Sequence, residues 1–159
     1  MRHPSIEQDY ELMKIDRGVF ADKHAIFGVL MGKNMIEKYQ VYKRPVESKS
    51  ANVVVAHVKL GDNVDGHPGM VHGGILALIL DDFLGFGFKA LGVEMAVTAN
   101  LSVDFRAPVF AGSEARIQAQ LARREGRKLY WTVQMSSLDG KTLYAECTSL
   151  YIIPRTSPK

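Results

Sequence analysis

The chain has 159 residues, enough for one ordinary domain. It is 47% apolar and 23% charged, which excludes a disordered chain, a collagen-like fibre and a coiled coil. Lys plus Arg is 20 against 17 for Asp plus Glu, a balance of +3 that is too small to argue for nucleic acid and suits a polyanionic small ligand equally well.

The N-terminus, MRHPSIEQDYELMKIDR, lacks the apolar centre of a secretory signal and is acidic for a transit peptide. Residues 5–16 are expected to form a short amphipathic helix, and the glycine-spotted stretch 17–34 is ambiguous. Together they make an N-terminal extension, 1–34, ahead of a domain at 35–155. Met35–Arg44 and Ala51–Leu60 read as strands, the second rich in valine. A loop dense in Gly, Asp and Pro follows, GDNVDGHPGMV.

That loop opens into HGGILALILDDFLGFGFKAL, which is apolar nearly all round and poor in β-branched residues, as a buried helix is. Gly73–Leu91 is not a membrane span. It carries Asp81, Asp82 and Lys89, and each charge near a bilayer centre costs roughly 2.5–3.5 kcal/mol. Beyond Gly92 the period becomes two. Thr98, Asn100, Ser102, Asp104 and Arg106 alternate with Ala99, Leu101, Val103 and Phe105, and three more strands run at 115–121, 129–135 and Leu143–Ile153. Glu125-Gly126 and Asp139-Gly140 mark tight hairpins. The expected fold is α+β: a six-stranded, largely antiparallel sheet wrapped around one long helix.

Two glycine motifs carry no function. GVLMGKN (28–34) is one residue short of a phosphate loop and ends in Asn where Ser or Thr binds magnesium. GFGFKALG (85–92) has the wrong spacing for a dinucleotide fingerprint. Cys147 is the one cysteine; it forms neither an internal disulfide nor a zinc cluster and points to a reducing compartment.

The chemistry concentrates at Gly66-His67-Pro68-Gly69-Met70-Val71-His72-Gly73-Gly74 and the helix behind it. The first N–H groups of a helix are free and carry partial positive charge, so Gly73 can present an oxyanion donor without a side chain in the way. Asp81 is a carboxylate in an apolar helix, which is costly unless it is used or paired. It shares an i, i+4 ridge with Gly73, Ala77 and Gly85, all tiny, where another chain or a ligand can approach closely; Asp82 lies on the neighbouring ridge with Gly74, Leu78 and Phe86. Gly73 and Asp81 are about 12 Å apart along one helix, too far to act on one carbonyl. Two antiparallel copies of the helix, related by a two-fold axis, would bring one Gly73 beside the other Asp81. Read singly, each residue has an ordinary explanation: an ion-paired Asp81, a helix-capping His72, a plain turn at Gly73-Gly74, and Thr98 as one more β-branched strand residue.

HGGILALILDD resembles the HGG-x(6)-D signature of hotdog-fold acyl-CoA thioesterases of the PaaI-like type, in the thioesterase superfamily. Residues 35–153 follow that family's element order. GHPGMVHGG is more similar to a mitochondrial-type subgroup, since several other members carry Asn where Gly66 stands here. The resemblance implies acyl-CoA hydrolysis without cofactor or metal. It assigns the oxyanion N–H to Gly73, the nucleophile or base to Asp81, the holding of the attacking water to Thr98 and a donor near the thioester to His72. Gly74, Asp82, Phe83 and Arg106 are the candidate substrate-binding residues, with Phe83 and Phe86 along an acyl tunnel and Arg106, Arg123 and Arg124 for CoA phosphates. It further implies a homodimer or a homotetramer built as a dimer of dimers, no nucleic-acid partner, and work in fatty acid metabolism. The expected location is the cytoplasm, with the mitochondrion as alternative. A hotdog dehydratase or hydratase, with His67 fourteen residues before Asp81, and a non-catalytic acyl-CoA binding protein are the rival readings.

Overall fold

The structure is a computed structural model that describes residues 8–15 and 21–156. One antiparallel sheet is built from β1 (Glu11–Leu12), β2 (Ile36–Lys43), β3 (Asn52–Leu60), β6 (Val97–Phe105), β7 (Glu114–Glu125), β8 (Lys128–Ser137) and β9 (Leu143–Ile152). Their order across the sheet is β1-β2-β3-β7-β8-β9-β6. One long helix, α1 (Gly73–Ala90), packs on it. The α+β architecture read from the sequence is present, with six of the seven strands as expected.

The seventh strand corrects the expected helix at 5–16. Residues 8–15 form a turn and β1, which pairs Glu11 with Lys43 and Leu12 with Tyr42; the remainder of that expected helix lies outside the described residues. The open edge of β2 offers backbone partners, and Met13 N–H donates to Val41 O at 2.8 Å. Tyr10 is buried there, its hydroxyl donating to Ser50 Oγ at 2.7 Å. A second addition is a ribbon of β4 (Asp65–His67) and β5 (Met70–Val71) inside the expected loop. It is turned by Gly69 in the left-handed region (φ 78°), whose N–H donates to Asp65 Oδ2 at 2.9 Å.

Residues 25–30 form a π-helical segment. Ile26 is fully buried in the main core, and the Phe27 ring meets the Phe86 ring edge-on at 6.1 Å. The described part of the N-terminal extension therefore shares the domain's core.

The helix packs through Leu76, Ile79, Leu80, Phe83 and Leu84 against alternating Val54, Ile117, Val133 and Met135 of the sheet. Each such side chain is worth about 1.5–3 kcal/mol of burial. Gly87 admits Trp131 to the helix backbone: a Cβ there would lie 3.0 Å from the indole. The sheet does not enclose the helix on all sides. Gly73, Ala77, Asp81 and Gly85 form a half-buried stripe, and nothing lies within 4 Å of where a Cβ on Gly85 would be. No helix among the described residues is long and apolar enough to cross a membrane.

Candidate active site

The helix begins at His72, whose extended backbone (ψ 130°) turns the chain into α1. Its Nδ1 accepts the Gly74 N–H at 2.8 Å, a side-chain cap. That role as acceptor puts the neutral ring's proton on Nε2. With Gly74 engaged, the N–H of Gly73 is left without an acceptor among the described residues. Gly73 opens into a cavity of about 300 Å³ lined by His67, Met70, Leu76, Phe105, Arg106 and Pro108, among others. The Phe105 ring stands 3.5 Å from where a Cβ of Gly73 would be. Gly66 backs His72 on its other side, and a Cβ there would meet the His72 Cα at 3.0 Å. A side chain at 66 would press on His72, so the close approach suits glycine there.

Two turns along α1, Asp81 meets the start of β6. Thr98 Oγ1 donates to Asp81 Oδ1 at 2.8 Å. Tyr151 stands opposite Thr98 in the β6–β9 register. Its hydroxyl lies 2.6 Å from both the same Oδ1 and the Asp81 backbone oxygen. Burial, reinforced by the hydrogen bond to Asp81, pushes the Tyr151 phenol far above its usual range, so it stays a donor. Cys147 lies in the adjacent part of β9, and burial, with the Asp81 charge second, pushes its thiol up to about 12.

Asp82 points elsewhere. Tyr39 donates to its Oδ2 at 3.1 Å, and His24 Nε2 lies 3.2 Å from its Oδ1. His24 is fixed from behind, its Nδ1 accepting the N–H groups of Ile26 and Phe27 at 3.2 Å each. Burial raises the Asp82 pKa, and His24 and Tyr39 oppose that rise. Asp82 thus clasps the π-helical segment to α1 and is not brought together with Gly73. Phe83 is fully buried in the core, facing the sheet, and lines no described cavity. Arg106 borders the Gly73 cavity, but its Nη2 is 3.2 Å from Glu146 and 3.6 Å from Asp104. Arg123 stacks 3.7 Å over Tyr130 and donates to Glu125 at 2.9 Å, while Arg124 donates to the Gly126 carbonyl at 3.2 Å.

The structure thus forms two separate clusters of the candidate residues. One holds His72, Gly73, Gly74, Phe105 and Arg106; the other holds Asp81, Thr98 and Tyr151. Residues 68–144 match the family profile described as the thioesterase superfamily. This stretch, just under half of the chain, is similar to that superfamily. Among curated relatives, acyl-coenzyme A thioesterase THEM4 of Mus musculus is 35% identical over 115 residues, covering 72% of this chain and 47% of its own. Acyl-coenzyme A thioesterase THEM5 of Homo sapiens is 28% identical over 116 residues, covering 72% and 44%. The chain spans about half the length of these curated relatives. Among solved structures, the thioesterase superfamily protein RHA08564 superposes with a TM-score of 0.62 at 26% identity, over 72% of this chain and 53% of that one. A hypothetical thioesterase with coenzyme A from Streptococcus pneumoniae superposes with a TM-score of 0.64 at 18% identity, over 75% and 88%. The fold is the hotdog fold.

Tyr151, Phe105 and the His24–Asp82–Tyr39 clasp escaped the sequence reading. Tyr151 and Phe105 look like ordinary strand residues until the register is known. His24 carried a signal, a lone histidine ahead of an apolar segment, but nothing local links it to a carboxylate 58 positions later.

Proposed function

We propose that the protein hydrolyses acyl-CoA thioesters at a site shared by two copies of the chain. The observation that carries this reading is the separation of the half-sites along one edge strand. Gly73 sits beside Phe105 and Asp81 beside Thr98, at opposite ends of β6. Among the described residues β6 pairs only with β9, so its other edge is open there. Val97 and Phe105 on it are 45% and 53% exposed. A long, unprotected and partly apolar edge favours pairing with another strand. A two-fold axis at mid-β6 would set Phe105 of one chain opposite Val97 of the other, next to Thr98, so that Gly73 of one faces Asp81 of its partner and the small-residue stripes meet. A further pairing of dimers into a homotetramer follows the family likeness.

In that arrangement the Gly73 N–H holds the thioester oxygen, with the His72 Nε2–H as a second donor. Asp81 of the facing subunit removes a proton from water as the water oxygen adds to the carbonyl carbon; direct attack by Asp81 is the other route to the same products. The tetrahedral intermediate collapses with loss of CoA thiolate, giving free acid. Thr98 donates to Asp81 and can accept from that water, fixing its position. The relatives named acyl-coenzyme A thioesterases support this substrate class, and a fatty acyl group would place the reaction in fatty acid metabolism. We assign the reaction to the cytoplasm, with the mitochondrion as alternative; one relative from Candida albicans is named as mitochondrial.

The test is release of thiol from palmitoyl-CoA by the purified protein and by Asp81→Asn. Parental activity and at least a 100-fold loss in the variant are expected, the loss of a general base being worth about 10²–10⁴-fold. Tight acyl-CoA binding with no thiol release by the parent would replace hydrolysis with a binding role.

A further inference from the structure

Two hydroxyls converge on one oxygen of Asp81. Thr98 and Tyr151 are directly opposed across β6 and β9, on the face that meets α1. Thr98 Oγ1 reaches Asp81 Oδ1 at 2.8 Å and the Tyr151 hydroxyl reaches it at 2.6 Å. Oδ2 accepts no hydrogen bond from any described residue. Tyr151 also touches the Asp81 backbone oxygen at 2.6 Å, so one hydroxyl spans the aspartate's main chain and side chain. The tyrosine is anchored in turn: it is 5% exposed, and its ring packs 5.6 Å from that of Phe88, one helical turn beyond Gly85.

A carboxylate on a single χ1–χ2 arm rotates freely unless something pins it. Here one oxygen faces both hydroxyls, the single Tyr151 proton being shared with the backbone oxygen, and the other accepts from no described residue. We infer that Tyr151 is a positioning residue for hydrolysis: it locks the Asp81 carboxylate in the rotamer that presents Oδ2, and not Oδ1, as the atom that takes the proton or attacks. The inference rests on the thioesterase reading and adds to it which atom of Asp81 reacts and which residue sets that choice. Tyr151 does not touch the substrate. Its phenol stays protonated across the working range, since burial and Asp81 both oppose ionisation.

The experiment compares Tyr151→Phe, Thr98→Val and the double variant with the parent on palmitoyl-CoA. Phenylalanine keeps the ring against Phe88 and removes only the hydroxyl. In Tyr151→Phe, kcat is expected to fall by about tenfold to a hundredfold with KM unchanged, because misorientation of a reacting group costs in this range. The double variant should lose less than the product of the two single losses, since both hydroxyls act on one oxygen. A folded Tyr151→Phe with parental kcat overturns the inference while leaving hydrolysis in place. Were Tyr151→Phe to melt early, fluorotyrosines at 151 keep the shape and alter only the donor strength. A kcat that does not respond to that series also overturns it. A readout independent of turnover is the Tyr151 hydroxyl proton by NMR. It is expected far downfield and slow to exchange in the parent, and to move upfield in Asp81→Ala. A parent that releases no thiol but shows this proton overturns the thioesterase reading, and a parent that releases thiol but lacks it overturns the role of Tyr151.

Discussion

Gly66 and His72 are in van der Waals contact through an absence: a Cβ on residue 66 would lie 3.0 Å from the His72 Cα and 3.1 Å from its imidazole Cδ2. The first of these atoms is backbone, so a side chain at 66 must push the start of α1. Gly66→Ala is therefore expected to displace His72 from its cap on Gly74. The cost is about 1 kcal/mol for the lost cap and roughly tenfold in kcat from the shifted oxyanion donor. Urea melts and steady-state kinetics check both, and parental values in both would show that His72 tolerates a Cβ there.

The two adjacent carboxylates should separate cleanly. Asp82 is held above the ordinary carboxylate range by burial. A raised folded-state pKa stabilises fully only below the unfolded value near 3.8, and that contribution is lost as pH rises through the raised midpoint. Asp82→Asn has no charge to bury. The melting temperature of the variant minus that of the parent should therefore increase from pH 4 upward and then level off. A gap that shrinks over that range would mean that His24 and Tyr39 outweigh burial. Its kcat should stay within a few-fold of the parent's, since Asp82 faces the clasp and not the cavity.

The proposed shared site has a direct genetic test. Gly73→Pro removes the oxyanion N–H, at a helix position where proline is tolerated. Asp81→Asn removes the proposed base. Each alone should be inactive. Co-expressed and mixing at random, half of the dimers contain one of each chain, and each of those holds one complete site of two. About a quarter of parental activity should return. No recovery, with mixed dimers and folded variants demonstrated, would place both halves of the site in one chain.

Gly87 is expected to resist replacement. An alanine Cβ would press on the Trp131 ring at 3.0 and 3.2 Å. Overpacking of this kind costs about 1–3 kcal/mol, against roughly 1 kcal/mol gained in helix propensity. A net loss of up to about 2 kcal/mol in a urea titration is expected. A stabilised Gly87→Ala would mean that the helix slides on the sheet at little cost.

The parts of the fold that were legible in the sequence are those where one face is buried. The period-two runs of β7 and β8 and the apolar length of α1 announce themselves because burial selects alternate residues or all of them. β1 did not, because two residues on an edge leave no period. The segment at 25–30 did not, because Gly28 interrupts any helical pattern and its stability comes from contact with Phe86 and Tyr39. Asp81 could be separated from Asp82 by the size of their ridge neighbours, since adjacent residues on a helix point about 100° apart. Tyr151 could not be found that way. Its role depends on which residue of β6 it faces, and strand register depends on the folded sheet, bulge between Thr98 and Asn100 included.

Trp131 is the chain's one tryptophan. It is 1% exposed, its indole N–H has no partner among the described residues, and its ring lies against the backbone of α1 at Gly87. Its intrinsic fluorescence is therefore a single-site gauge of whether the helix is seated on the sheet. Emission should be blue in the native protein and shift to the red as soon as water reaches the ring. A stopped-flow trace at that wavelength would time the docking of α1 without any added dye.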